Sequence, residues 1–143
     1  MGAIDVIEFL IVKEMAGKEK LIDLIAMYLE DKIRPSDAEN FGIPRTILRA
    51  TLQRLYEMEA DREKLRAITM GVAPIIKEKV PTIISNDNKC NICKICGENL
   101  TMRNIFPEDH IKKRHRNLIR ETLEKVVDEY RNVIKSRSLP GTQ

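Results

Sequence analysis

Cys93 and Cys96 are followed, after thirteen intervening residues, by His110 and then His115. These are the only two histidines in the chain, and its three cysteines (Cys90, Cys93 and Cys96) lie within seven positions. No other feature constrains the fold so tightly. A Cys-x2-Cys turn offers two thiolates from one knuckle, and two histidines about a helical turn apart offer two imidazoles. Together they make the tetrahedral donor set that Zn2+ takes in structural sites. An odd, tightly spaced set of cysteines argues against a disulfide framework and for a metal in a reducing compartment. The expected ligands of a single structural Zn2+ are therefore Cys93, Cys96, His110 and His115. The other reading is a knuckle of free thiols and two unrelated surface histidines. Cys90 makes a second Cys-x2-Cys register with Cys93; it could replace Cys96 as a ligand, or stand as a spare thiol beside the site.

Leu100 and Phe106 fall between the two pairs, where a miniature core is needed. A core of that size folds on the binding energy of its metal. From Cys93 to His115 the pattern resembles a C2H2 zinc finger, which implies a small ββα-like unit. The stretch to His110 is one residue longer than the commonest form. Pro107 delays the helix and leaves Glu108 and Asp109 in its first turn, where they suit the positive helix end but repel phosphate. Base reading by this finger is not expected. Lys112, Lys113 and Arg116 can hold a phosphate backbone, or simply form a solvated basic face. The finger helix is expected to run on into a long C-terminal helix. There Ile119, Leu123, Val126, Tyr130 and Val133 step by heptad spacing. That seam can dock on a protein partner, a second copy, or the chain's own N-terminal half.

The second informative stretch is residues 36–55. A short helix over Ser36–Phe41 should end at Gly42, since glycine takes a positive φ cheaply. Ile43 plugs the turn and Pro44 opens the next helix, Pro44–Glu57. Leu48, Leu52 and Leu55, with Ile47 beside them, form its apolar side; Arg45, Thr46, Arg49 and Gln53 form the other. Ala38, Phe41, Gly42, Ile43, Ile47, Leu48 and Leu52 fall where the helix-turn-helix of bacterial and archaeal transcription regulators and resolvase-type DNA-binding domains has its small, apolar and turn residues. The resemblance spans about twenty residues and the helix before them. It implies major-groove binding to double-stranded DNA through Pro44, Arg45, Thr46, Arg49 and Gln53, by a protein that pairs as a homodimer on a two-fold site. Joined to one C2H2 finger, this looks like small regulators of archaea and their viruses. A plain helical hairpin in a core is the other reading, and a protein-binding adaptor is the alternative function.

The fold class expected is mainly α: a helical bundle over 1–81 containing the helix-turn-helix, a linker at 82–89, the finger and C-terminal helix at 90–136, and a flexible tail at 137–143. Ala3–Met15 is apolar on most sides and should be buried, against the rest of the chain or a second copy. Lys18–Ile33 carries a clear helical stripe. Gly71 and Pro74 should bend or break the helix that follows Leu55. Ile4–Val12 is interrupted by Asp5 and Glu8 and is no membrane span; no signal peptide is visible, and a cytoplasmic protein, or one in the host cytoplasm if viral, is expected. Net charge is only +3, so basic clusters matter more than the sum. Charged residues make up 33 % and aromatics 4 %, with glutamine only at Gln53 and Gln143, a balance that suits a hot environment. Four protein ligands would close the metal, and no His-Glu-x2-His motif, phosphate-cradling glycine loop or Ser/His/Asp set is present. The chain is not expected to be an enzyme.

Overall fold

The structure, a computed structural model, describes the backbone of residues 2–87 and 89–142, and the side chains of these except 87 and 136–142. It is mainly helical with one small antiparallel sheet. In order come α1 (Gly2–Met15), α2 (Glu19–Leu29), a 3-10 helix (Pro35–Phe41), α3 (Arg45–Met58), α4 (Arg62–Lys79), β1 (Ile84–Asp87), β2 (Cys90–Cys93), α5 (Pro107–Arg114) and α6 (Arg116–Thr142).

α1 is the hub. Its side chains Val6, Ile7, Leu10, Ile11, Val12 and Met15 are buried, and it packs against α2, α3, α4, α5 and α6. A helix apolar nearly all round has to be wrapped on several sides, and here the wrapping comes from the chain's own helices. Each fully buried side chain of this size contributes about 1.5–3 kcal/mol. Gly17, at φ 83°, ends the helix. The last-turn carbonyl of Met15 then accepts the N–H of Ile83 at 2.8 Å, which pins the chain ahead of β1 to the end of α1.

α2 buries Leu21, Ile22, Leu24, Ile25 and Leu29. It stops earlier than its apolar stripe suggests, because Asp31 takes a positive φ of 62°. The short segment after it is a 3-10 helix rather than α. Pro35 opens it, and the Asp37 carboxylate accepts the Arg34 N–H at 2.9 Å. Gly42 then takes the left-handed conformation (φ 82°, ψ 14°). A Cβ there would meet nothing within 4 Å, so the requirement for glycine is conformational. α3 starts at Arg45, with Pro44 as the residue before it.

α4 is preceded by Asp61, whose carboxylate caps the N–H groups of Glu63 and Lys64 at 2.9 and 3.3 Å. Contrary to the sequence expectation, it runs unbroken through Gly71 and Pro74. Leu65, Ile68, Val72, Ile75 and Ile76 are buried and hold it against α1, α2 and α6, while Pro74 faces outward. Tertiary burial offsets the lost backbone hydrogen bond. Gly71 has a packing role: a Cβ there would run into the ring of Tyr130.

The stretch expected as a linker holds β1, and Ile83 and Ile84 in it are buried. β1 pairs with β2 from Ile84 opposite Cys93 to Asp87 opposite Cys90. The helix after His110 is also not continuous: α5 ends at Arg114, His115 stands outside it, and α6 starts at Arg116. The heptad positions of α6 turn inward. Ile119 and Val126 are buried, with Thr122 and Val127 beside them, against α1 and α4. The backbone of α6 continues to Thr142; for the segment read as a tail, the side chains lie outside the described residues. One hydrophobic cluster runs through the molecule, from Val6 and Leu10 to Cys93, Leu100, Ile111 and Val126.

Candidate metal centre and nucleic-acid face

The knuckle is built on backbone hydrogen bonds. Cys93 closes β2, Gly97 takes φ 77°, and the Gly97 N–H reaches the Cys93 carbonyl at 2.8 Å. The Cys93 N–H donates to the Glu98 carbonyl at 3.0 Å, and Ile92 bridges to Asn99. Cys93 and Cys96 thus sit in a tight turn between β2 and Asn99, and β1 is an additional strand outside it. Lys94 N–H donates to the Ile83 carbonyl at 2.8 Å. Since Ile83 is itself bonded to Met15, the knuckle is tied to α1 by two links.

α5 brings the histidines. His110 is in its middle, and His115 follows its last residue at φ −127°, ψ 34°. Residues five apart lie about 140° apart around an ideal helix. Both rings can face one point only if the backbone leaves the helix at the second, which is why α5 and α6 are separate.

The four side chains converge. The ligand atoms of Cys93, Cys96, His110 and His115 all lie within 4.8 Å of one another. The Cys93 sulfur is 3.4 Å from His115 Nε2, and the Cys96 sulfur 3.4 Å from His110 Nε2. Metal–sulfur and metal–nitrogen bonds of about 2.3 and 2.0 Å put the sulfur–nitrogen edge of a tetrahedron at about 3.5 Å. The four could hold one metal ion such as zinc. Cys90 is outside the group: three residues from Cys93 on one strand, it belongs to the opposite face of the sheet. Burial lowers the pKa of His110 and so favours the neutral ring a metal needs, with Glu98 opposing. Burial also pushes the Cys93 thiol up, against the backbone N–H groups of Cys96 and Ile95.

Packing around the centre differs from expectation at one residue. Leu100 is buried, but Phe106 is 74 % exposed. Phe106 precedes α5 with extended backbone, and Pro107 takes the buried first position instead. The second core residue is Ile111, fully buried one place after His110. At the start of α5, Glu108 accepts from Lys13 at 2.8 Å and from Lys18 at 2.5 Å. Burial alone would raise its pKa; the two lysines outweigh it and hold Glu108 at about 2. The sequence offered no signal for this clasp, whose partners are ninety or more positions away. Nor did it mark Glu98, whose carboxylate lies 3.4 Å from His110 Nδ1.

The other candidate face is on α3. Leu48, Leu52 and Leu55 are buried, and Pro44, Arg45, Thr46, Arg49 and Gln53 are exposed. Ile47, expected beside the buried stripe, is 48 % exposed, and Phe41 is 43 % exposed. Ile47 lies in the first turn of α3, four residues before the buried Thr51, where it lines an open cleft with Lys18, Leu21 and Pro44 and is not covered by another helix. Arg45 approaches Glu39 only at 3.9 Å, with both side chains more than half exposed; such a pair contributes little. Lys112, Lys113 and Arg116 are exposed on the half that carries the candidate metal site. They do not form one basic surface with α3. The cleft between α3 and α5 is lined by Lys13, Lys18, Arg54 and Lys112, but equally by Asp5, Glu8, Glu108 and Asp109. No protein-family model, curated protein or solved structure matches the chain. No helix among the described residues is long and apolar enough to cross a membrane.

Proposed function

We propose that the chain is a sequence-specific DNA-binding protein, a transcription regulator that reads the major groove with α3 and is braced by one structural Zn2+. The observation that carries this is the two-sidedness of α3: its leucines are buried while Arg45, Thr46, Arg49 and Gln53 share the solvent side. The approach through Ala38, the left-handed Gly42 and Pro44 supports a helix-turn-helix whose first arm is a 3-10 turn. Arg45 and Arg49 are suited to guanine or phosphate, Gln53 to adenine, and Thr46 to phosphate or a thymine methyl. A homodimer would place two such helices about 34 Å apart on successive major grooves. Lys112, Lys113 and Arg116 would add phosphate contacts at most, since the intervening cleft is charge-balanced.

Selection of bound duplexes from a random pool, with zinc content measured on the same sample, tests the proposal. A recovered consensus and one zinc per chain are expected, with affinity falling steeply with salt and lost in the double variant Arg45→Ala/Arg49→Ala. Negligible affinity for any duplex at low salt would discard DNA binding. The second reading is a protein-binding adaptor. It is favoured by Met102 and Phe106 on the metal-binding half, 81 % and 74 % exposed.

A further inference from the structure

The two ring nitrogens of His110 face different neighbours. Nε2 lies 3.4 Å from the Cys96 sulfur, inside the four-ligand cluster. Nδ1 lies 3.4 Å from Oε1 of Glu98. Glu98 comes two residues after Cys96 with only 17 % of its side chain exposed, and its other oxygen accepts a 2.7 Å hydrogen bond from Arg103. A neutral imidazole has one donor nitrogen and one acceptor nitrogen. A metal takes the acceptor, so a group that holds the proton on the far nitrogen decides which face of the ring is free to bind.

We propose that Glu98 is a positioning residue for the metal centre. Its carboxylate, steadied by Arg103, accepts the Nδ1–H of His110. It thereby selects the tautomer whose Nε2 lone pair points at the ion, and it sets the ring plane toward the two thiolates. The 3.4 Å separation is long for a hydrogen bond; a small rotation of the ring, if Nε2 took up an ion, would close it. His115 has no carboxylate in ion-pair range among the described residues, so the two histidines differ within one site. The proposal rests on the reading of these four residues as a metal centre and is independent of DNA binding. The knuckle uses the Glu98 backbone carbonyl, not its side chain, to receive the Cys93 N–H. Side-chain variants therefore leave that bond in place.

Zinc affinity of the full chain, measured by competition with a chromophoric chelator, is compared between parent, Glu98→Ala, Glu98→Gln and Arg103→Ala. Glu98→Ala should bind zinc about 10- to 100-fold more weakly. Glu98→Gln, which keeps an acceptor oxygen, should lose less, and Arg103→Ala less again. In zinc-loaded, nitrogen-15-labelled protein, the His110 Nδ1 proton should move upfield in Glu98→Gln while the His115 ring signals stay put. That spectrum keeps the proposal testable if Glu98→Ala does not fold. Affinity in Glu98→Ala within about twofold of the parent, an unmoved Nδ1 proton in Glu98→Gln, or zinc bound through His110 Nδ1 would overturn it. A parent chain that takes no zinc would instead remove the metal centre on which it rests.

Discussion

Glu14 lies in the last turn of α1 with 4 % of its surface exposed, and its Oε1 has no hydrogen-bond partner. Burial raises its pKa above the ordinary 4.5; Glu19 and Asp23 push the same way, and Lys77, itself paired with Asp23, opposes. The native chain then holds this proton more tightly than the unfolded chain does. Stability from this group is present below pH 4.5 and falls as pH rises above it. Glu14→Gln should therefore stabilise the protein at pH 7, the gain fading at about pH 4, below the ordinary carboxylate pKa. Paired urea melts at the two pH values check this; an equal gain at both would contradict it. Nothing in the sequence set Glu14 apart from the exposed acidic residues of α1, Asp5 and Glu8. Its burial follows from how the other helices close over the end of α1.

At the scale of elements, two contacts hold the helices in register. Gly71 lets α4 approach the ring of Tyr130 on α6. Gly71→Ala gains about 1 kcal/mol of helix propensity but overpacks this contact at a cost of about 2–3 kcal/mol, with a net loss of about 1–2 kcal/mol. A thermal melt of the variant should show the drop; a rise would mean that Tyr130 moves aside without cost. The other contact is the clasp of Glu108 by Lys13 and Lys18, which docks α5 on α1. Glu108→Gln should cost roughly 1–3 kcal/mol at pH 7, because charge-assisted hydrogen bonds in a mostly buried setting are lost. With the folded pKa lowered to about 2, this contribution is complete above 4.5 and disappears as pH falls toward 2. The gap in stability between parent and variant should close over that window, and acid titration of both chains measures it. The break between α5 and α6 is readable afterwards from the five-residue step between His110 and His115. Beforehand, heptad spacing from Ile119 onward suggested one continuous rod.

Across the whole molecule, Cys93, Leu100 and Ile111 belong to the same hydrophobic cluster as Val6, Leu10 and Val72. The half that carries the Cys93, Cys96, His110 and His115 cluster is also hydrogen-bonded to α1 through Ile83 and Lys94. Removing a bound metal should therefore lower the melting temperature of the entire chain in a single transition. Calorimetry with and without a chelator checks this. Two transitions, with only one sensitive to the chelator, would show that the halves unfold separately. The sequence by itself determined the helical character, the Gly42 turn, the buried leucines of α3 and the four residues that converge as a candidate metal site. Each of these depends on residues close in the chain, on helical periodicity, or on a donor set that few other arrangements explain. Only the tertiary structure decided that α4 passes straight through Pro74, that Phe106 lies outside and Ile111 inside, that the seam of α6 packs on its own chain, and that Glu98 and Glu108 have partners. Those outcomes depend on which surfaces are covered by segments remote in sequence, and local patterns carry no record of that.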